Sequence, residues 1–470
     1  MKKEEIKYHK EALVIIDNFK RPKTGKLISR SIIFNGKETK FKPYKKEFQI
    51  VFQYDFAHMT QIDVGQYRKG INIQFEESKF CLENTFFGSH SPPTLTGNVD
   101  KIHTKGYSEK RKYYYQLIIP LEKELRFHYN IEQSVFITDL GYRSRNGTVV
   151  LMNNEQIQVC CIKNEKKEYF LTIDSPIKQT FTEFADKANA IKIGMGYLSG
   201  YYAGNQGYYF AYTNKNKKNP KQFRFVALRD SIKSIYSPVY SNAYGYLHGN
   251  PLSKKYYPLL RPVSKKEFSV LCEKIYKSLE FSSMIMLMLE SSVASLLFMP
   301  GGYSIALETL SDIVIGKRKL KLSPIKDKSI SRKIRKEILE VIEKYSTYLS
   351  SGNIETLKKR IDQLNQITNM ARLKAPFDLL GIRLLDEDLK ILETRNDFLH
   401  GRVPDLTSSG ENRSIERINK DLYYCSIRLY TLLNMLILKC IGYDNRVVNL
   451  PKIHEVFTEI SVDEEPFRQV

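Results

Sequence analysis

Residues 389–405, LKILETRNDFLHGRVPD, set an arginine, an amide and an imidazole at the end of an otherwise apolar helical pattern. Leu389, Leu392 and Leu399 recur at helical spacing and are expected to face a core. Asp386 is a plausible N-cap, and Gly401 is well placed to end the helix in a left-handed turn. Asn396 and His400 are four apart and share a face. Arg395 is five residues before His400, so the two lie roughly 140° apart around the axis, and a long arginine can curl toward the histidine. Only eight histidines occur in 470 residues, and none of the others has an arginine five to seven positions before it.

The segments around this stretch keep the helical period. Phe268, Leu271, Ile275 and Leu279 mark one amphipathic helix. FSSMIMLMLESSVASLLFM (281–299) forms a second, which Pro300-Gly301-Gly302 is expected to break. It carries Glu290 and five serines, so it reads as a buried helix rather than a membrane span. YSIALETLSDIV (303–314), KIRKEILEVIEKYSTYL (333–349) and IETLKKRIDQLNQI (354–367) follow. A last long helix places Ile415, Ile418, Leu422, Cys425, Leu429, Leu432, Leu436 and Cys440 on one stripe, stopped by Gly442. Residues 263–460 are therefore expected to form an all-helical bundle.

The N-terminal half has a different period. EALVII, LISRSIIF, EFQIVFQYDF, INIQF, KYYYQLII, SVFITDL, GTVVLM, IQVCCI and EYFLTI, between residues 11 and 173, are short β-branched or aromatic runs. Asn146-Gly147 fits a tight hairpin turn. Many short strands in a row predict a sandwich or a barrel-like antiparallel domain. One helix interrupts them near 180–199, with Thr180 and Glu183 spaced as a capping box and Phe181, Phe184, Ala188, Ile191, Met195 and Leu198 on its apolar stripe. GYYFAYT and FRFVALR then read as a hairpin around NKNKKNPKQ. The G-x-G in GMGYLSG lacks a preceding strand and a third glycine, which argues against a dinucleotide site. Residues 236–262, rich in Pro, Gly and Tyr, look like a linker. Its tyrosines could stack on bases, though packing of the loop is the commoner use of such residues. The expected class is α+β, with a β-rich sensor or regulatory domain over 1–255 and a helical domain over 263–460.

The totals bound the partners. Lys and Arg number 74 against 52 Asp and Glu, a formal charge of +22. An excess of that size suits a polyanion, nucleic acid above all, although a lysine-rich proteome would produce it too. The six cysteines include no C-x-x-C pair, so neither a zinc ribbon nor thioredoxin chemistry is supported. The opening MKKEEIKYHKEALVIIDNF does not read as a secretion signal, and reduced thiols in a cytoplasmic protein are expected.

An arginine and a histidine suffice for one chemistry without metal or cofactor. RNA carries its own nucleophile, the 2′-hydroxyl, beside each phosphorus. A histidine can take that proton or hand one to the leaving oxygen. A planar guanidinium grips the charge that develops on the phosphorane. Asn396 can orient the imidazole or bond the phosphate. The bare spacing is common by chance, and a histidine at a helix C-terminus is also a purely structural device.

R-N-D-F-L-H-G, ahead of a long helix ending LKCIGYDN, resembles the signature of HEPN domains. These are helical bundles whose R-x(4–6)-H motif, often R-N-x-x-x-H, forms a metal-independent ribonuclease site across a dimer. The resemblance covers about residues 265–450 and implies catalytic roles for Arg395, Asn396 and His400. The whole layout looks like the ApeA-type antiphage proteins, in which a β-rich domain precedes such a helical domain. That likeness implies a homodimer or larger assembly, kept silent until a phage-derived trigger arrives, with no membrane involvement.

Ten basic residues and one acid, Asp327, lie between Lys317 and Lys336. Lys317, Arg318 and Lys319 at the head of that run, with Arg402 beside the motif, are candidate RNA contacts; a solvated basic loop is the bland alternative. Two other functions compete. The helical half could be a non-catalytic RNA-binding or dimerisation module. Asp63 ahead of Glu77-x-Lys79 mimics a D…E-x-K metal-dependent DNA nuclease, whose flanking helices the region does not supply.

Overall fold

The computed structural model describes residues 4–6, 9–27, 39–53, 67–68, 70–75, 77–91, 94–138, 143–144, 146–239, 255–256, 259–318, 323–399, 402–404, 406 and 413–470. They fall into two compact units: residues 1–293 with 445–448, and residues 294–444 with 449–470. The class is α+β, a large antiparallel sheet in the N-terminal half and helices in the C-terminal half.

The first unit opens with helix α1 (His9–Lys20), where a strand was expected at EALVII. Ala12, Ile16 and Phe19 are the buried residues, spaced four and three apart, so the run obeys the helical period. Strands β1 (Lys23–Leu27), β2 (Thr39–Tyr44), β3 (Glu47–Gln53), β4 (Ile71–Phe75), β5 (Ser78–Ser91) and β6 (Thr94–Thr104) follow. Their antiparallel pairings close on themselves in the order β6–β3–β2–β1–β4–β5–β6. A six-stranded ring of hydrogen bonds therefore exists, the barrel-like option. Its interior is aromatic: Phe41 stacks on Phe48 at 4.7 Å, and Phe48 meets Phe225 edge-on at 4.7 Å. Phe19 of α1 packs into the same cluster, 4.8 Å from Phe48.

From β6 the sheet continues outward through β12 (Gln222–Ala227), β11 (Gln206–Tyr212), β7 (Tyr113–Leu121), β10 (Tyr169–Gln179), β9 (Glu155–Lys163) and β8 (Gly147–Met152), all antiparallel. The tight turn before β9 is Asn153-Asn154, both at positive φ, and not Asn146-Gly147. Gly147 instead starts β8, and the Asn146 side chain accepts the Phe127 N–H at 3.1 Å.

Helix α2 (Phe181–Ser199) forms as the capping box requires, with the Thr180 N–H donating to Glu183 at 2.8 Å and Gly200 ending it at φ +69°. Its whole predicted stripe is buried. Helix α3 (Lys265–Lys277) packs on α2. A Cβ at Gly194 of α2 would come within 3.5 Å of Cys272, Phe268 and Ile275, so glycine permits that approach. Helix α4 (Leu279–Ser291) also packs on α2. The compact unit thus runs past the 236–262 segment, because α3 and α4 bury their apolar faces within it. The Ser269 hydroxyl of α3 accepts the Leu151 N–H of β8 at 2.9 Å. Within 236–262, Tyr236 and Tyr256 are buried, consistent with packing rather than base stacking.

The second unit begins with α5 (Met299–Arg318). Pro300-Gly301-Gly302 lies in its first turn and does not break a helix; the interruption falls at 292–298. Proline is tolerated in a first turn, where its missing N–H has no partner to lose. Helices α6 (Lys328–Lys344), α7 (Ser351–Asp362), α8 (Asn369–Leu380), α9 (Asp386–Glu393), α10 (Arg395–Leu399) and α11 (Ile415–Cys440) follow, then the single turns α12 (Leu450–Ile453) and α13 (Glu455–Thr458). Nearly every residue of α11 from Asp421 to Leu438 is buried, around the whole circumference rather than along one stripe, and Ile415 is exposed. Among the described residues no helix is long and apolar enough to cross a membrane.

Candidate functional site

The sequence predicted one helix, from an N-cap at Asp386 through His400 to a stop at Gly401, which with His400 lies outside the described residues. The structure has two, α9 and α10, meeting at Thr394, whose N–H still bonds to Lys390 O at 3.1 Å. The N-cap is Leu385, one residue earlier than expected, and its N–H donates to the Asp388 carboxylate at 2.9 Å. Asp388 is fully buried, and it also accepts from Arg428 of α11 at 2.7 Å and from Arg468 at 2.7 and 3.0 Å. Burial alone would raise its pKa; the Arg468 hydrogen bonds and the two guanidinium charges override that and hold it below the usual range. Arg428 makes a second, part-buried bond to Glu464 at 2.5 Å. Ile391 and Leu392 are the core residues of α9, and Leu389 is only half-buried.

Arg395 opens α10. It is buried, and its guanidinium is ion-paired with Glu308 of α5. Burial pulls the Arg395 pKa down, yet a guanidinium stays charged at any working pH. Phe398 is buried as well. Beyond the motif, the Arg402 N–H closes a turn onto Asp397 O at 2.8 Å, and its exposed side chain pairs loosely with Asp397 at 3.8 Å. Arg413 then clamps the chain, donating to Pro404 O at 2.7 Å, Val403 O at 3.0 Å and the fully buried Asp421 at 3.3 Å. Anchors therefore stand on both sides of position 400. His400 itself and the side chain of Asn396 lie outside the described residues.

The other predicted RNA contacts are less informative. Lys317 and Arg318 end α5, roughly 14 Å along its axis from Glu308; their side chains, and Lys319 altogether, are outside the described residues. The later part of the basic run belongs to α6 rather than to a loop. In the first unit, Glu77 and Lys79 are exposed on the β4–β5 hairpin and Asp63 lies outside the described residues. Among the described residues no group of three His, Cys, Asp or Glu could hold a metal.

Glu308 was not anticipated. The only signal in the sequence is a carboxylate inside the apolar run YSIALETL, where a helix facing a core has no use for an unpaired charge. Glu308→Gln removes the charge that balances a desolvated guanidinium. The helical unit should lose about 1–3 kcal/mol, read as a lower denaturant midpoint at unchanged slope.

A cleft of about 700 Å³ opens on the first unit, lined by the β2–β3 turn (Lys45, Lys46, Glu47) with Asn98, Gln206 and Asp230. Burial and nearby Asp100 push the Glu47 carboxyl up. Comparison with family models, curated proteins and solved structures finds no match to this chain.

Proposed function

We propose that this chain is a metal-independent endoribonuclease of the HEPN type, acting in antiphage defence through cleavage of RNA. The observation that supports it best is the placement of Arg395. Its guanidinium is desolvated and fixed by Glu308 at the start of a short helix, five residues ahead of His400, and Arg413 holds the chain at Pro404 beyond it. A charge donor fixed in a low-dielectric setting is what a developing phosphorane requires. The +22 charge fits a polyanionic substrate.

In this reading His400 takes the proton of the 2′-hydroxyl or supplies one to the leaving 5′-oxygen. The 2′-oxygen forms a bond to phosphorus, the bond to the 5′-oxygen breaks, and Arg395 balances the charge between those events. The products are a 2′,3′-cyclic phosphate and a 5′-hydroxyl. DNA lacks the nucleophile and is not cut. Exposed single-stranded loops, in tRNA or elsewhere, suit an attack that needs a splayed backbone. Two copies of the chain, or more, would carry the site, and the first unit, with its polar cleft, would hold the activity silent until a phage-derived signal arrives.

One observation favours the second reading, a non-catalytic RNA-binding or dimerisation module. A buried arginine already satisfied by a carboxylate is also a structural tether. Incubating the purified chain with total cellular RNA, with and without EDTA, separates the two. Cyclic-phosphate ends that form in EDTA support the nuclease. Salt-sensitive binding without new ends supports the module.

A further inference from the structure

Helix α6 is unlike the other long helices of the second unit: none of its residues is buried. Asp327 caps it, accepting from the Ser329 N–H at 2.7 Å, so it is a well-formed helix that lacks cover on one side. One edge is fastened to α7 by the Arg335–Asp362 pair and by Lys358–Glu343 at 3.8 Å. The face turned away from those pairs carries Ile330, Ile334 and Val341, continued by Tyr345 at the C-cap, all within about 60° of one another around the axis. Three of these are strongly exposed, Ile330 at 49%, Val341 at 56% and Tyr345 at 52%. An apolar stripe of about four turns left in solvent marks a contact surface.

Its charges say what covers it. The first half of α6 holds Lys328, Arg332, Lys333, Arg335 and Lys336 with no acid; the second half holds Glu337, Glu340 and Glu343 with only Lys344 as counter-charge. A helix that is positive at one end and negative at the other is complementary to itself when reversed. We infer that α6 pairs with α6 of a second copy of this chain, antiparallel about a two-fold axis near Glu337 and Ile338. In that register Ile330 meets the partner's Tyr345, and Ile334 meets the partner's Val341. Lys333 reaches the partner's Glu340 on one flank of that stripe, and the two-fold repeats each contact. RNA would suit the basic half alone; it leaves the apolar stripe and the acidic half unexplained.

This pairing concerns the assembly and stands apart from the nuclease reading, because its readout is mass rather than cleavage. Sedimentation of the full chain, freed of nucleic acid, is expected to show a reversible dimer. Val341→Glu should weaken the dimer at least about tenfold, and Lys333→Glu by about tenfold. Lys333→Glu combined with Glu340→Lys in the same chain should restore it, since the swap rebuilds both ion pairs reversed. A chain that is monomeric throughout, or a dimer indifferent to Val341→Glu, overturns the inference. So does a charge swap that fails to restore association while each variant keeps the parent's circular dichroism and thermal midpoint.

Discussion

Replacing His400 by alanine is expected to remove RNA cleavage to within the background, a loss of about 10² to 10⁴ in rate, which is what a positioned proton-transfer group contributes. Arg395→Ala should lose about 10² to 10³, the scale of removing one preorganised donor to a developing oxyanion. Arg395→Lys is expected to recover little, because an ammonium is a point charge that cannot present two parallel N–H groups to a phosphate and also reach Glu308. The assay is the rate of cyclic-phosphate formation on a defined single-stranded substrate, run in EDTA. Each variant's thermal midpoint is needed beside it, since Arg395 is buried and paired and its loss also strains the helical unit. Cleavage that persists in both alanine variants removes these two residues from the chemistry and with them the ribonuclease reading.

The second large effect is on stability. Asp388 is the fully buried acceptor for Arg428 and Arg468, and Arg428 is itself fully buried. Asp388→Ala leaves those guanidinium charges in the interior with Glu464 alone to balance Arg428. Breaking a buried pair from one side costs about 3–5 kcal/mol. For a unit of this size that corresponds to a fall in thermal midpoint of about 10 °C. The same carboxylate makes a pH prediction. Its folded pKa lies below the ordinary 3.8, so the unfolded chain binds its proton first as pH falls. The stability it contributes is complete above that ordinary value and drains away only as pH drops through the folded pKa. Between neutrality and about pH 5 the midpoint should therefore be insensitive to this group, and Asp388→Ala should flatten the acid limb below it. A midpoint that moves by less than about 2 °C would show that α9 does not depend on this network.

The period of the hydrophobic pattern made most elements legible, and the exceptions have identifiable causes. EALVII is a short β-branched apolar run and so imitates a strand; its helical character shows only when Phe19 is included. The long β5–β6 hairpin is hard to read because Pro92-Pro93 sits in its middle and Asn84, Gly88, Gly97 and Asn98 dilute the β-branched and aromatic residues that mark a strand. Barrel closure depends on β1 bonding both β2 and β4, which no single strand announces. In the site, the spacing of Arg395 and His400 is visible in the sequence because it is local. Its supports are not: Glu308, Asp388 and Arg428 look like ordinary solvated charges on helices until the fold brings opposite charges to them from about 30 to 90 residues away.

One small bond in the first unit has a larger meaning. The open sheet ends at β8, and its outermost backbone N–H groups are a standing invitation to any extended segment, including a misfolded sibling. Ser269 occupies the Leu151 N–H, and α3 lies along the strand that carries it. The helix thus works as a bumper against runaway strand addition. If copies of the chain do pair as proposed, such a bumper keeps contact between them from inviting fibrils.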